Sequence, residues 1–263
     1  MQRLKNVKLY LLDMDGTIYL DECLFDGVIE FLKYVKSVGG KYMFLTNNSS
    51  KSVDKYIEKL NSLGITATSN DFLTSVDATV FYLKPKKYKK IYAFGTESFK
   101  SQLRQEGLPI TDKLEDGIDC LCMGFDTELN FKKLEDACIL LRDDIDYIAT
   151  NPDLVCPTWY GSVPDCGSVS EMIYNATGKR PFFIGKPNSL MVDLAVEKTG
   201  FSREQTALVG DRLYTDIACA KNAKINGIFV LSGEGTIDDI EKYNVQPDYI
   251  YKDIKTLLTD LQK

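Results

Sequence analysis

Histidine is absent from this chain of 263 residues. Its absence excludes a Ser-His-Asp or Cys-His nucleophile, a zinc site with histidine ligands and an imidazole base. Any acid–base chemistry must then fall to carboxylates or lysine. The candidate catalytic residues are therefore acidic side chains and lysines in suitable positions.

The sequence also lacks the features of a membrane protein or a nucleic-acid-binding protein. No apolar run has the length of a membrane span, and the apolar stretch near the N-terminus is too short for a signal peptide. The formal net charge is −6, which argues against a broad cationic surface. The seven cysteines are scattered without metal-ligand spacing, as is typical of reduced thiols. We expect a cytoplasmic protein whose partner is neither a membrane nor a nucleic-acid polymer.

Apolar runs of strand length alternate with segments that have helical spacing, among them residues 26–37, 52–63 and 189–199. Such runs, with little alternation of polar residues, are typical of a parallel sheet that is covered on both faces by helices. The fold class is therefore α/β, and functional side chains are expected beyond the carboxyl ends of the strands. The predicted core strands are Val7–Leu12, Tyr42–Leu45, Phe182–Ile184, Ala207–Val209 and Ile228–Leu231.

A second α/β set lies between about residues 75 and 182, with predicted strands Ile91–Phe94, Cys120–Phe125 and Ile145–Thr150. We interpret it as an inserted domain, because the polar turns before and after it form one chemical set. The predicted domains are a catalytic core of residues 1–76 and 183–263 and an insertion of residues 77–182. One continuous large sheet is the alternative.

Polar side chains follow the predicted core strands. Two aspartates at i and i+2 project together where the chain leaves the first strand, and a Thr-Asn-Asn run at a predicted helix entrance suits a phosphate oxygen. Taken singly, the aspartates could also belong to a surface turn or to the first turn of a helix. The Thr-Asn-Asn run could be an ordinary helix cap, and the lysine could be a solvated surface residue. The complete set is Asp13, Asp15, Thr46, Asn47, Asn48, Lys186, Asp211 and Asp216.

Taken together, these residues predict a phosphoryl-transfer site. Carboxylate oxygens favour a hard cation such as Mg²⁺, which takes the rest of its ligands from water and a substrate phosphate. A carboxylate nucleophile, a cation and a lysine that neutralises phosphoryl oxygens are the parts that such chemistry requires.

The same segments resemble the four motifs of the haloacid dehalogenase superfamily, in that family's order: DMDGT, the Thr46 motif, Lys186, and Gly210 to Asp216. The stretches TNPDLVCPTWYGSVPDCGS, ATGKRPFFIGKPN and LVGDRLYTDIACA further resemble its nitrophenyl phosphatase and UMP phosphatase branch, subfamily IIA. The resemblance implies a Rossmann-like core, an α/β cap inserted after the second motif, Mg²⁺, and hydrolysis of phosphate monoesters.

The resemblance also implies residue roles. Asp13 resembles the nucleophile, and Asp15 resembles the acid that protonates the leaving oxygen and then activates water. Lys186 resembles the lysine of the third motif, and Asp211 a direct Mg²⁺ ligand together with Asp13 and the backbone carbonyl of Asp15. Asp216 resembles an outer partner of the metal. Thr46 resembles the phosphate-positioning hydroxyl, with Asn47 and Asn48 beside it.

Substrate selection is expected in the cap, in the loop from Asn151 to Ser168. Related chains often have Pro-Gly where this chain has Pro164-Asp165, which puts a carboxylate in or near the substrate loop. If Asp165 lines the pocket, the enzyme should prefer hydroxylated leaving groups over carboxylated ones such as phosphoglycolate.

The predicted activity is hydrolysis of a small phosphorylated metabolite of the nucleotide or sugar phosphate type through an aspartyl-phosphate. A phosphomutase and a non-catalytic ligand-binding regulator on the same fold are the alternatives. The physiological substrate stays open, and so does the oligomeric state, for which a homodimer is one candidate.

Overall fold

The secondary structure alternates strands and helices in a computed structural model, which describes residues 4–49, 53–158 and 160–263. With elements numbered along the chain, the helices are α1 Val28–Ser37, α2 Val53–Ser62, α3 Ser75–Leu83, α4 Glu97–Gln105, α5 Phe131–Leu140, α6 Cys166–Thr177, α7 Leu190–Thr199, α8 Ala218–Asn222, α9 Asp239–Tyr243 and α10 Ile254–Leu261. The strands are β1 Leu9–Leu12, β2 Tyr19–Leu20, β3 Cys23–Leu24, β4 Lys41–Thr46, β5 Phe72–Thr74, β6 Ile91–Phe94, β7 Ile110–Thr111, β8 Cys120–Met123, β9 Asp146–Ala149, β10 Val155–Thr158, β11 Gly161–Pro164, β12 Phe182–Phe183, β13 Thr206–Gly210, β14 Asn226–Val230 and β15 Tyr249–Tyr251.

The chain divides into two compact units. The first unit comprises Met1–Thr46, Val53–Leu73 and Lys186–Lys263, and its main sheet has the strand order β15-β14-β13-β1-β4-β5. The pairs from β15 to β4 are all parallel. The predicted parallel α/β core is therefore confirmed.

Burial explains why the central strand of this sheet is continuously apolar. All four residues of β1 are buried, because helices cover both faces of a parallel sheet. On α1 the buried side chains are Val28, Phe31, Leu32 and Val35, a spacing of three and four residues that places them on one face of the helix. Phe31 meets Tyr10 of β1 edge to face, with ring centroids 5.2 Å apart.

The second unit comprises Asn47–Ser52 and Thr74–Gly185 and has a parallel sheet of its own, in the order β12-β9-β8-β6-β7. Strands β10 and β11 form a separate antiparallel hairpin. Cys120 and Cys122 are buried in β8, and no disulfide joins the seven cysteines, all of which lie in described residues.

One predicted core strand is wrong. The segment Phe182–Ile184 was expected in the first sheet, but Phe182 and Phe183 pair with Ile148 and Ala149 of β9 in the second. A short apolar run shows that a strand exists, whereas the partner strand is determined by contacts far away in sequence. The alternative of a single large sheet is also wrong, since the described strands of the two units form separate sheets.

Helix limits follow the predicted segments closely. Residues 26–37, 52–63 and 189–199 correspond to α1, α2 and α7, although the expected start at Ser52 lies outside the described residues. No helix in the described ranges combines the length and the hydrophobicity that a membrane crossing requires.

Candidate active site

The site begins where two neighbouring parallel strands end. Leu12 of β1 lies opposite Val209 of β13, and the backbone N–H of Asp13 donates to the Val209 carbonyl at 2.9 Å. Asp13 follows the last residue of β1, and Asp211 follows the last residue of β13. Strand pairing therefore brings two carboxylates, separated by almost 200 residues, to the same edge of the sheet.

Lys186 connects this edge to a third carboxylate. Its Nζ lies 2.5 Å from Asp13 Oδ1 and 2.7 Å from Asp216 Oδ1. The Lys186 side chain is only 3% exposed, and that of Asp216 only 1%. A buried ammonium group is stable in such a position only when carboxylates compensate its charge.

The carboxylates of Asp13, Asp211 and Asp216 form a compact group, in which one oxygen from each lies within 4.8 Å of the others. Asp211 Oδ2 accepts a hydrogen bond from the backbone N–H of Glu234 at 2.7 Å. Asp211 Oδ1 is buried and has no hydrogen-bond partner among the described residues. An uncompensated buried carboxylate oxygen beside two other acids fits a hard divalent cation such as Mg²⁺.

Burial and the neighbouring charges shift the pKa values of these groups. Burial and the charge of Asp216 raise the pKa of Asp211 to about 6. Burial and the neighbouring Asp216 and Asp211 also raise the pKa of Asp13, against the opposing effect of Lys186. Burial alone would lower the pKa of Lys186, but the attraction of Asp13 and Asp216 outweighs it and raises that pKa. A cation bound here would relieve the repulsion between the carboxylates.

Glycines make room for this group. A Cβ atom on Gly210 would lie 2.4 Å from the Asp216 side chain, and one on Gly233 would lie 2.0 Å from Asp211 Oδ2. Gly16 has φ +84°, and a Cβ there would approach Asp211 Oδ2 to 2.4 Å. Larger residues at these positions would displace the carboxylates or the backbone.

The loop after β14 is the part of the site that the sequence analysis did not assign. Its Gly233 packs against Asp211, its Glu234 donates the backbone hydrogen bond to Asp211, and its Ser232 hydroxyl donates to the Gly16 carbonyl at 2.7 Å. The sequence feature that indicates this loop is the run SGEGT, a glycine-rich turn at the carboxyl end of a parallel strand.

Asp15 and Thr46 occupy different environments in the first unit. Asp15 is exposed, and its carboxylate is not part of the three-acid group. Thr46 is buried, 7% exposed, at the carboxyl end of β4, which pairs directly with β1. The Asp15 carboxylate is thus open to solvent, whereas that of Asp13 is only 16% exposed.

The remaining predicted binding residues belong to the second unit. Asn47 Nδ2 donates to Asp153 Oδ2 at 2.9 Å, and Asn151 Nδ2 donates to the same oxygen at 2.9 Å. Asn48 Nδ2 lies 3.8 Å from Cys156 Sγ. The unit division therefore separates Thr46 from Asn47, although the sequence presents them as one polar turn.

Asp165 lies within this polar cluster and is 4% exposed. Its Oδ1 accepts hydrogen bonds from the backbone N–H of Cys166 at 2.5 Å and from Asn151 Nδ2 at 3.2 Å, and the residue caps the N-terminus of α6. Burial raises its pKa to about 6. These contacts give Asp165 a capping function in its own unit, whereas its predicted contact with a leaving group stays a prediction.

Known proteins share both the motifs and the fold. Models of haloacid dehalogenase-like hydrolases match residues 10–109, and a second model of HAD-hydrolase-like proteins matches residues 183–257. An acid sugar phosphatase of Staphylococcus saprophyticus is 33% identical over 261 residues, which cover 99% of this chain and 100% of that protein. The chain belongs to the haloacid dehalogenase-like hydrolases.

Solved structures of similar proteins cover nearly the whole chain. A 4-nitrophenylphosphatase from Thermotoga maritima is 40% identical with a TM-score of 0.91 and covers 99% of both chains. A glycerol phosphate phosphatase from Mycobacterium tuberculosis, solved in complex with calcium, is 29% identical with a TM-score of 0.89 over 97% of this chain and 76% of its own. These relatives indicate a phosphoric monoester hydrolase of the subfamily IIA type.

Proposed function

We propose that this haloacid dehalogenase-like hydrolase cleaves small phosphate monoesters with Mg²⁺ as cofactor and forms an aspartyl-phosphate on Asp13. The observation that carries the proposal is the Asp13–Lys186–Asp216 arrangement beside the uncompensated oxygen of Asp211. It combines a carboxylate nucleophile, a cationic partner and ligands for a divalent ion at one sheet edge.

Four residues would hold the cation: Asp13, Asp211 and Asp216 through or near their carboxylates, and Asp15 through its backbone carbonyl. When bound, Mg²⁺ would neutralise phosphoryl charge and orient the ester for in-line attack.

Each protein group has a defined task in the two displacements. A carboxylate oxygen of Asp13 attacks phosphorus, and the bond to the leaving oxygen breaks while Asp15 supplies that oxygen with a proton. Asp15 then removes a proton from water, whose oxygen attacks phosphorus and releases phosphate from Asp13. Lys186 compensates the negative charge that develops on the phosphoryl oxygens, and Thr46 positions one of them by its hydroxyl.

The second unit serves as the cap in this proposal and selects the leaving group. A sugar phosphate or a nucleotide is the substrate class that we favour, because the Staphylococcus saprophyticus relative is named an acid sugar phosphatase. The cap residues proposed to participate are Asn47, Asn48, Asn151 and Asp165. A cytoplasmic location is part of the same proposal.

A panel of phosphorylated metabolites tests the proposal. Sugar phosphates, nucleoside monophosphates, glycerol phosphate and phosphoglycolate are assayed by phosphate release with Mg²⁺ and with EDTA, and kcat/KM values are compared. We expect Mg²⁺-dependent release with a preference for sugar phosphates or nucleotides. Failure of every ester, with or without metal, would favour the regulator alternative. Isomerised sugar phosphate without free phosphate would favour the phosphomutase.

A further inference from the structure

A basic cleft lies at the edge of the first sheet opposite the carboxylate group. Its lining includes Lys8, Gln205 and Ile225, which directly precede β1, β13 and β14, whereas Asp13 and Asp211 follow β1 and β13. A strand rises about 3.3 Å per residue, so the stretch from Lys8 to Asp13 places the cleft roughly 16 Å from the nucleophile. The cleft is therefore separate from the catalytic site.

The charge of the cleft is opposite to that of the chain. The chain has a formal net charge of −6. Basic side chains in the cleft outnumber the acidic Glu204 and Asp248, and they are Lys5, Lys8, Arg203, Lys221 and Lys224. A local excess of positive charge on an acidic protein concentrates anions at this position.

Two of the cations are paired with carboxylates of the protein. Lys221 Nζ lies 2.8 Å from Asp248 Oδ1. The Arg203 guanidinium contacts Asp193 Oδ1 at 2.5 Å and also donates to the Ala223 carbonyl at 2.6 Å. The charges of these two residues are therefore partly compensated before any ligand binds.

The other three cations keep their charge uncompensated. Lys8 Nζ donates to the carbonyl oxygen of Val38 at 2.7 Å, which is a neutral acceptor. No ion pair or side-chain hydrogen bond within the described ranges engages Lys5 or Lys224. Two exposed ammonium groups and one oriented by the backbone can therefore bind several anionic groups of one ligand.

The size of the cleft limits the class of ligand. Its volume is about 710 Å³, within the roughly 300–1,000 Å³ of typical small-molecule sites. Asn6, Gln205 and Asn226 add amide groups to the lining. A single phosphate would leave part of the charge of Lys5, Lys8 and Lys224 without a partner, whereas a chain of phosphates offers an anionic group to each of the three lysines.

We propose that this cleft binds a small polyanion with two or more phosphate groups, independently of the catalytic site. Recognition would rest on Lys5, Lys8 and Lys224, with Arg203 and Lys221 at the wall. The amides would contact a sugar or base if the ligand carries one. The bound polyanion would thus be a second ligand of the enzyme, distinct from its monoester substrate.

The test is isothermal titration calorimetry of the full chain with sodium tripolyphosphate. The buffer contains EDTA, which chelates the metal that turnover requires. The cleft variant combines Lys5→Gln and Lys224→Asn; Asn suits the φ of 57° at Lys224. The matched control combines Lys252→Gln and Lys87→Asn, which removes the same charge outside the cleft and includes another left-handed lysine, φ 55°. Thermal melts verify that both variants fold.

We expect saturable binding by the wild type, at least about tenfold weaker binding by the cleft variant and no comparable loss in the control. A second arm uses ATP. Equal affinity of the wild type for ATP and tripolyphosphate supports the proposal and assigns recognition to the phosphate chain. Tighter binding of ATP than of tripolyphosphate supports it and identifies a nucleotide as the ligand. Absence of saturable binding by the wild type, or equal weakening in both variants, overturns the proposal. Phosphate release from nitrophenyl phosphate should be unchanged in the cleft variant.

Discussion

At the scale of single residues, the site is a balance of buried charges. Lys186 forms ion pairs with Asp13 and Asp216, while burial and the repulsion between the carboxylates raise the pKa values of Asp13 and Asp211. Charges at such distances interact strongly where water is excluded. Single substitutions should therefore separate the nucleophilic, acid–base and metal-binding functions.

Replacement of Asp13 by Asn should abolish turnover and leave the fold intact. The amide is nearly isosteric but a poor nucleophile, and Lys186 keeps its contact with Asp216 at 2.7 Å. The measurements are steady-state phosphate release and a thermal melt. Activity within about tenfold of wild type would exclude Asp13 as the nucleophile.

Replacement of Asp15 by Asn should cost about 10²- to 10⁴-fold in kcat for an alkyl phosphate, because general acid–base assistance is lost. The loss should be smaller for nitrophenyl phosphate, whose leaving group needs less protonation. The Mg²⁺ titration should change little, since the backbone carbonyl remains. Equal losses for both esters would argue against the acid role.

Replacement of Asp211 by Ala should raise the Mg²⁺ concentration for half-maximal activity or remove activity, because Mg²⁺ has few protein ligands. Gly233→Ala should act in the same direction, since the new Cβ would clash with Asp211 Oδ2. Gly39→Ala is the control: a Cβ there meets nothing within 4 Å, and its φ of +73° adds backbone strain at a position away from Asp211. A metal titration that Asp211→Ala leaves unchanged would place the cation elsewhere.

At the scale of elements, the cap of α6 depends on a buried acid. Asp165 accepts the hydrogen bond from the Cys166 N–H, and Asn at this position could accept it as well. Burial raises the folded-state pKa of Asp165 to about 6, above the unfolded value of about 3.9. The free energy of unfolding that Asp165 contributes is then fully present below about pH 4 and decreases as pH rises through 6.

The stability difference between wild type and Asp165→Asn should therefore depend on pH. We expect the wild type to lose about 2 to 3 kcal/mol relative to the variant between pH 4 and pH 7. Urea unfolding at several pH values measures the difference. A stability difference that stays constant with pH would show that burial does not raise the pKa of the Asp165 carboxyl.

If Asp165 also selects substrates, the variant should change the ratio of kcat/KM for a sugar phosphate and phosphoglycolate.

Element prediction from sequence worked where periodicity and polar turns coincided. β6 was predicted at its observed limits, and Asp13, Lys186, Asp211 and Asp216 were predicted as a set that the fold brings together. Strand partners were harder, since Phe182 pairs with a strand more than 30 residues earlier. The contact of Asn47 with Asp153 spans more than 100 residues, and no local pattern indicates it.

At the scale of the whole molecule, the chain passes between its two units at Thr46–Asn47, Ser52–Val53, Leu73–Thr74 and Gly185–Lys186. Two of these passages adjoin predicted site residues. Gly185 packs tightly in the second unit, where a Cβ would lie 2.6 Å from Asn47 Oδ1, whereas Lys186 belongs to the first. Residues that are adjacent in sequence thus belong to different units. A sequence motif alone does not show which unit each of its residues belongs to.

The central claim is that the phosphoryl group passes through Asp13, and the stereochemistry at phosphorus tests it most directly. A monoester made chiral with three oxygen isotopes is incubated with the enzyme and an alcohol, which replaces water as the acceptor in the second displacement, and the configuration of the new monoester is read by ³¹P NMR. Two successive in-line displacements predict retention of configuration. Inversion would mean a single displacement by the acceptor and would contradict an aspartyl-phosphate on Asp13.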